Sequence, residues 1–202
     1  MSADTPDPVL PPVLSQARQW VERALSPGDL AVDATVGNGR DTAFLADRVG
    51  PTGLVIGFDV QQSALDAAST RLGDLGLADR VRLVRSGHER LAEVVAESAP
   101  DRRPRAVMFN LGYRPGGDRA IITRPETTLP ALGAALDLTL PGGVLVVVCY
   151  PGHEGGADET EAVLEWARDI PTKRAAVVVH QIWNARRAPC LIGIEPRRDR
   201  NS

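Results

Sequence analysis

Two apolar runs near the end of the chain, residues 175–183 and 188–194, are separated by only four residues, Asn184, Ala185, Arg186 and Arg187. Parallel neighbours in a sheet need a crossover of a dozen or more residues, so these two runs must pair antiparallel. Everything before them alternates. Short apolar runs at 30–35, 54–60, 81–85, 105–111 and 144–150 are each followed by a stretch of helical periodicity, at 41–49, 63–75, 89–98, 123–140 and 158–170. Five strand–helix units closed by a hairpin predict an α/β fold: a Rossmann-like, seven-stranded, mostly parallel sheet with one antiparallel strand and helices on both faces. The run 144–150 is the most continuous of the set, which predicts a central strand covered on both sides.

Local signals bound this unit. Prolines at 6, 8, 11 and 12 make residues 1–12 an extended tail, and 197–202 read as a solvated one. Between them, 13–196 form one domain. It opens with an amphipathic helix, because Val13, Leu14, Ala17, Trp20, Val21, Ala24 and Leu25 recur at helical spacing. Thr123 and Glu126 stand at capping-box spacing around Pro125, a proline suited to the first helical position.

Composition excludes several classes. With 43% apolar and 24% charged residues, the chain is not a disordered polymer. Its apolar stretches, such as 143–149, are far short of the roughly 20 residues that span a bilayer, and no charged segment followed by an apolar one opens it. No membrane partner and a cytoplasmic location are therefore expected. Two cysteines make neither a disulfide framework nor a four-ligand zinc site, so no metal is expected. A net charge of −3 argues against a protein that coats nucleic acid, but not against a local basic patch. Lys173 is the only lysine among 23 cations, and arginine suits phosphate recognition, though composition alone does not establish it.

The glycine loop after the first strand, Asp33 through Thr42, carries the first chemical signal. Gly37 and Gly39 let the backbone turn sharply and let a ligand approach main-chain N–H groups at a helix start. The dinucleotide fingerprint is incomplete, since Thr42 stands where a third glycine belongs, and no lysine-bearing phosphate loop is present. A cationic sulfonium cofactor with an adenosine fits better. Asp33 suits its ammonium, and Asp59, at the end of the second strand, suits both ribose hydroxyls. The reversed last strand is the feature that class I methyltransferases share and dinucleotide folds lack, so fold-level analogy favours S-adenosyl-L-methionine.

The fourth strand ends in Asn110, Leu111, Gly112 and Tyr113. A carboxamide there can accept a hydrogen bond from an amine and aim its lone pair at a methyl group, while the tyrosine can stack on or hold a base. This tetrapeptide resembles the Asn/Asp-Pro-Pro-Tyr motif of amino-group methyltransferases, with Leu111 and Gly112 in place of the prolines. The Asp33–Thr42 loop, the stretch from Asn110 to Asp118 and the stretch from Tyr150 to Gly156 together resemble small bacterial class I methyltransferases labelled rRNA methylases, the YtqB-like or MnmM-like proteins. The resemblance spans roughly 14–196. It implies S-adenosylmethionine-dependent N-methylation of 5-aminomethyl-(2-thio)uridine at the wobble position of tRNA, with the anticodon region as partner. Small methyltransferases often dimerise, so a homodimer is compatible with it. On this resemblance Asp33, Thr35, Gly37, Asn38, Gly39, Asp41, Thr42, Asp59, Gln61, Ser86, His88 and Asn110 would hold the cofactor.

Methyl transfer from a sulfonium needs alignment more than acid–base chemistry. An alkylamine acceptor must still lose a proton, and His153 is the candidate to take it, the alternative being a phosphate contact or a loop-ordering role. Asn110 and Tyr113 complete the catalytic set. Arg114, Arg119 and Arg124 follow Asn110 and, with Tyr150, Arg186 and Arg187, are the expected substrate contacts. His180, mid-strand, reads as a structural histidine. Two rivals stand beside this reading: a methyltransferase acting on rRNA or a small molecule, and a non-catalytic RNA-binding protein on the same scaffold.

Overall fold

In the computed structural model, residues 9–113, 116, 121–185 and 187–198 are described. Among them the alternation predicted above appears as α1 (Val13–Ala24), β1 (Leu30–Asp33), α2 (Arg40–Val49), β2 (Leu54–Asp59), α3 (Gln62–Asp74), β3 (Val81–Arg85), α4 (Leu91–Ser98), β4 (Pro104–Asn110), α5 (Pro125–Leu138), β5 (Val144–Cys149), α6 (Gly156–Arg168), β6 (Ala175–Gln181) and β7 (Cys190–Pro196). The sheet runs β3-β2-β1-β4-β5-β7-β6. All pairs are parallel except those made by β7, which is antiparallel to both β5 and β6.

Period-2 alternation divides the sheet between two cores. In β5, Leu145, Val147 and Cys149 pack on the side of α4, α5 and α6, whereas Val144, Val146 and Val148 pack on the side of α1 and α2. All six residues are buried, as expected of a strand flanked by β4 and β7.

Two local expectations are corrected. The hairpin strands are displaced from their apolar runs: β6 stops two residues early, at Gln181, β7 runs two residues later, from Cys190 to Pro196, and 182–189 form the connection. Ile182 and Trp183 lie beyond the last paired residues, Gln181 and Cys190, because consecutive turns begin there: Ala185 N–H donates to Ile182 O and Ala188 N–H to Ala185 O. The capping box at Thr123 does not form. Pro125 is the first helical residue, but Arg124 is the N-cap and no side chain caps the helix. The Thr123 hydroxyl is engaged by partners distant in sequence, described below.

The order of strands fixes where a ligand can enter. Chains leaving β1 and β4 at their carboxyl ends turn to opposite faces of the sheet, which opens a crevice between these neighbours.

Candidate active site

A cavity of about 1010 Å³ fills that crevice, walled by the loops after β1 to β5 and by α1. Fourteen of the residues expected to be functional line it. Thr35, Gly37, Asn38, Asp41, Asp59, Gln61, Ser86 and His88 come from the end of β2 and the chain following β1, β2 and β3. Asn110, Tyr113, Arg124, Tyr150, His153 and Arg187 come from the end of β4 and the connections after β4, β5 and β6. Arg114, Arg119 and Arg186 lie outside the described residues.

Asp33, Gly39 and Thr42 are behind the wall, not in it. Asp33 is 1% exposed. It accepts hydrogen bonds from the Thr42 hydroxyl (2.6 Å) and the Thr35 N–H (3.1 Å), so it braces the loop from beneath. The expectation that it meets a ligand ammonium directly is corrected accordingly. Burial, followed by the Asp41 carboxylate nearby, pushes its pKa up to about 7. Gly39 caps α2 at φ +72°, and a Cβ there would stand 2.8 Å from the Ala68 Cα of α3. Close approach and backbone conformation both require glycine.

Asp59 is oriented by the same loop. Its carboxylate accepts Gly37 N–H at 2.9 Å and Gln61 N–H at 2.8 Å, one on each oxygen. A carboxylate has about four acceptor sites, so capacity is left for two hydroxyls. His88 is 7% exposed and stacks edge-on against Phe109. Burial holds its pKa below the usual histidine value, so the ring is neutral at pH 7. Its Nε2 is buried without a hydrogen-bond partner among the described residues. An oriented carboxylate for a ribose and an orphaned ring nitrogen beside it fit an adenosine.

At the end of β4, Asn110 is held at both ends. Its N–H donates to the Thr35 hydroxyl (2.7 Å), and its side-chain NH2 donates to Asp41 (2.5 Å). A carboxylate can only accept, so the NH2 group must face Asp41 and Oδ1 must face away. The other Asp41 oxygen takes Arg18 Nη2 at 3.0 Å. Tyr150 reaches Asn110 Oδ1 at 3.4 Å. Burial, then Asp41, raises the tyrosine's pKa and keeps it a donor.

The departures from the two-proline motif have physical reasons. Leu111 N–H donates to Val148 O (2.9 Å) and Gly112 N–H to the Thr123 hydroxyl (2.7 Å), and proline has neither donor. Gly112 sits at φ +128°, which proline cannot adopt, and a Cβ there would stand 3.0 Å from His153 Nε2. His153 stands edge-on to Tyr113, with ring centroids 5.6 Å apart. Its Nδ1 lies 2.8 Å from the Glu154 carbonyl, which can only accept. Nδ1 therefore donates a proton to it, and the tautomer with the lone pair on Nε2 is the neutral form this contact allows. That nitrogen is covered and makes no hydrogen bond among the described residues.

The other arginines divide by sheet edge. Arg102, Arg103 and Arg105 bond the carbonyls of Gly28, Leu138 and Pro141 at the amino ends of the strands, far from the crevice. Arg124 and Arg187 are on it. His180 Nε2 lies 3.2 Å from the Pro11 carbonyl, a structural contact as expected.

The family described as "Putative rRNA methylase" matches residues 55–195. The chain belongs to that family. Two solved structures are similar over nearly its whole length. One is described as an rRNA methylase of Clostridium thermocellum, with 42% identity, a TM-score of 0.87, and coverage of 94% of this chain and 100% of that one. The other is a methyltransferase of Streptococcus mutans solved with S-adenosylhomocysteine, with 30% identity, a TM-score of 0.81, and coverage of 93% and 99%. A chloroplastic tRNA (mnm(5)s(2)U34)-methyltransferase of Arabidopsis thaliana is 38% identical over 179 residues, covering 85% of this chain. The chain spans 64% of that relative's length. By fold and family this methylase is a class I S-adenosylmethionine-dependent methyltransferase.

Sequence reasoning missed two polar groups of this site. Arg18 reaches Asp41 from α1, and nothing in the helical pattern distinguishes it from any other polar-face residue. Glu159 is 2% exposed in the first turn of α6. Its carboxylate lies beneath the loop bearing Tyr113, and an acidic residue near a helix start is ordinary in sequence.

Proposed function

We propose that this methylase transfers a methyl group to the amine of 5-aminomethyl-(2-thio)uridine at the wobble position of tRNA, giving the 5-methylaminomethyl nucleoside. The orientation of Asn110 is the observation that carries the reading: with its NH2 committed to Asp41, its oxygen is available to an incoming N–H. The name of the Arabidopsis relative supports tRNA over other amines.

S-adenosylmethionine, when bound, supplies an electrophilic methyl on a positively charged sulfur. The chain's own residues do the rest. Asp59 would take the ribose hydroxyls, and His88 and Ser86 would face the adenine. Asn110 Oδ1 accepts one amine N–H, which leaves the nitrogen lone pair directed along the line of attack. Arg18 anchors Asp41, and Asp41 in turn prevents the carboxamide from rotating. The amine arrives protonated at neutral pH, and His153, which lines the cavity, is assigned to take or relay that proton. Tyr113 bounds the acceptor space beside that ring.

The test is methylation by the purified chain of tRNA bearing 5-aminomethyl-uridine, read by nucleoside mass spectrometry. The 5-methylaminomethyl nucleoside should appear, and Asn110→Ala should lower its rate by roughly a hundredfold or more. The family description favours one other acceptor, rRNA. Methyl transfer to rRNA with none to tRNA would replace the tRNA assignment and keep the chemistry.

A further inference from the structure

The geometry points to Glu159 as a positioning residue that sets the acceptor-side loop through the Thr123 hydroxyl. Glu159 accepts two hydroxyl protons, from Thr123 on Oε2 at 2.6 Å and from Thr128 on Oε1 at 2.7 Å. The Thr123 oxygen in turn accepts Gly112 N–H at 2.7 Å, while Thr123 N–H donates to Gly112 O at 3.0 Å. Tyr113 and Ile122 pair next to this link as an isolated antiparallel bridge. The two ends of the loop following Asn110 are thus closed on each other and tied to α6.

A carboxylate is needed at this place for a reason of proton count. The Thr123 hydroxyl has one proton, and its oxygen is already engaged by a backbone donor. Its partner below must therefore accept, and the same holds on the Thr128 side. Glutamine offers one oxygen and one NH2 group, so one of the two hydroxyls would face a donor. Thr128 has an alternative, since a helical threonine can turn its hydroxyl to a carbonyl in the preceding turn. Thr123 lies before the helix and has none. Glu159 is in the first turn of α6, where the helix dipole favours its charge.

The consequence reaches the chemistry through Gly112. That residue is held at φ +128° against His153 Nε2, between Asn110 and Tyr113. Release of its N–H lets the segment carrying Tyr113 shift relative to Asn110 and His153. A displacement of about 1 Å at a reacting centre costs on the order of a hundredfold in rate.

The role in catalysis rests on the reading of the cavity as a methyl-transfer site, and the experiment separates the two. Glu159→Leu, Thr123→Val and Thr123→Ser are compared with the parent on tRNA, because glutamine could still turn its one oxygen to Thr123 while leucine offers no acceptor. The first two should lower kcat by at least about tenfold, with cofactor affinity by calorimetry within about twofold. Thr123→Ser keeps the hydroxyl and should restore the rate. Hydrogen exchange at the Gly112 amide, read without any acceptor, should quicken by about tenfold or more in the first two only. Parent-like exchange at Gly112 in Glu159→Leu and Thr123→Val overturns the proposal. So does a fall in kcat matched by equal losses of cofactor affinity and melting temperature. A parent inactive on tRNA whose Gly112 exchange still responds defeats the substrate reading and upholds the relay.

Discussion

Asp33 illustrates how one residue can set a pH dependence for the whole fold. Its carboxyl is buried beside Asp41 and Asp59, and its pKa rises from 3.8 to about 7. The folded chain therefore holds a proton that the unfolded chain has already released above pH 4. Stability must fall as pH rises between about 4 and 7, by up to ~4 kcal/mol from this group, and level off above. Asp33→Asn removes the titration, so urea midpoints at pH 5 and pH 8 should differ less in the variant than in the parent. Parallel curves would mean that the carboxyl is ionised throughout. The sequence points to Asp33 as important, but not to the direction it faces. All four residues of β1 are buried because both faces of that strand are covered, so alternation carries no sign of which side meets a ligand. Asp59 is easier to read, because it ends a strand nearer the edge of the sheet and its loop is open.

At the level of elements, the loop between β1 and α2 is legible because glycine spacing at a strand-to-helix junction has few other causes. What the spacing does not show is that Gly39 is needed against Ala68, a contact made by α3 and not by the loop. Gly39→Ala combines a left-handed backbone for a residue with a Cβ and an overlap with a helix backbone. Together these should cost about 3 kcal/mol, measurable by urea denaturation, with the larger part recovered at neither low nor high pH. A loss below about 1 kcal/mol would show that α3 can retreat. The capping box at Thr123 fails for a related reason. Its pattern is local, but the hydroxyl oxygen that would accept a helix amide already accepts Gly112 N–H, and its proton goes to Glu159, 36 residues away. The hairpin is antiparallel as its short connection requires, yet its first strand is shorter than its apolar run, since Ile182 and Trp183 are exposed and outside the strands.

For the molecule as a whole, strand order matters more than charge total. A net charge of −3 is weakly informative about an RNA partner, because the arginines are sorted by position. Arg103 and its neighbours bond carbonyls at the amino edge of the sheet, whereas Arg124 and Arg187 border the cavity at the carboxyl edge. The sequence separates these groups only through the predicted strands, since the distinction is made by which end of a strand each one follows. If tRNA is the substrate, its phosphates meet the carboxyl edge, where Arg40 also lines the cavity. Replacing Arg124 or Arg187 by alanine should weaken tRNA binding and reduce the slope of log K against log salt by about 0.7 to 0.9 for each phosphate left unneutralised. Arg103→Ala serves as the control. It removes a side chain that bonds carbonyls at the end of α5, so it should lower the melting temperature and leave the salt slope unchanged. Filter binding from about 50 to 200 mM salt resolves a change of one phosphate. An unaltered slope in both Arg124→Ala and Arg187→Ala would place the RNA path elsewhere on the cavity rim, and a slope changed by Arg103→Ala would place it at the opposite edge of the sheet.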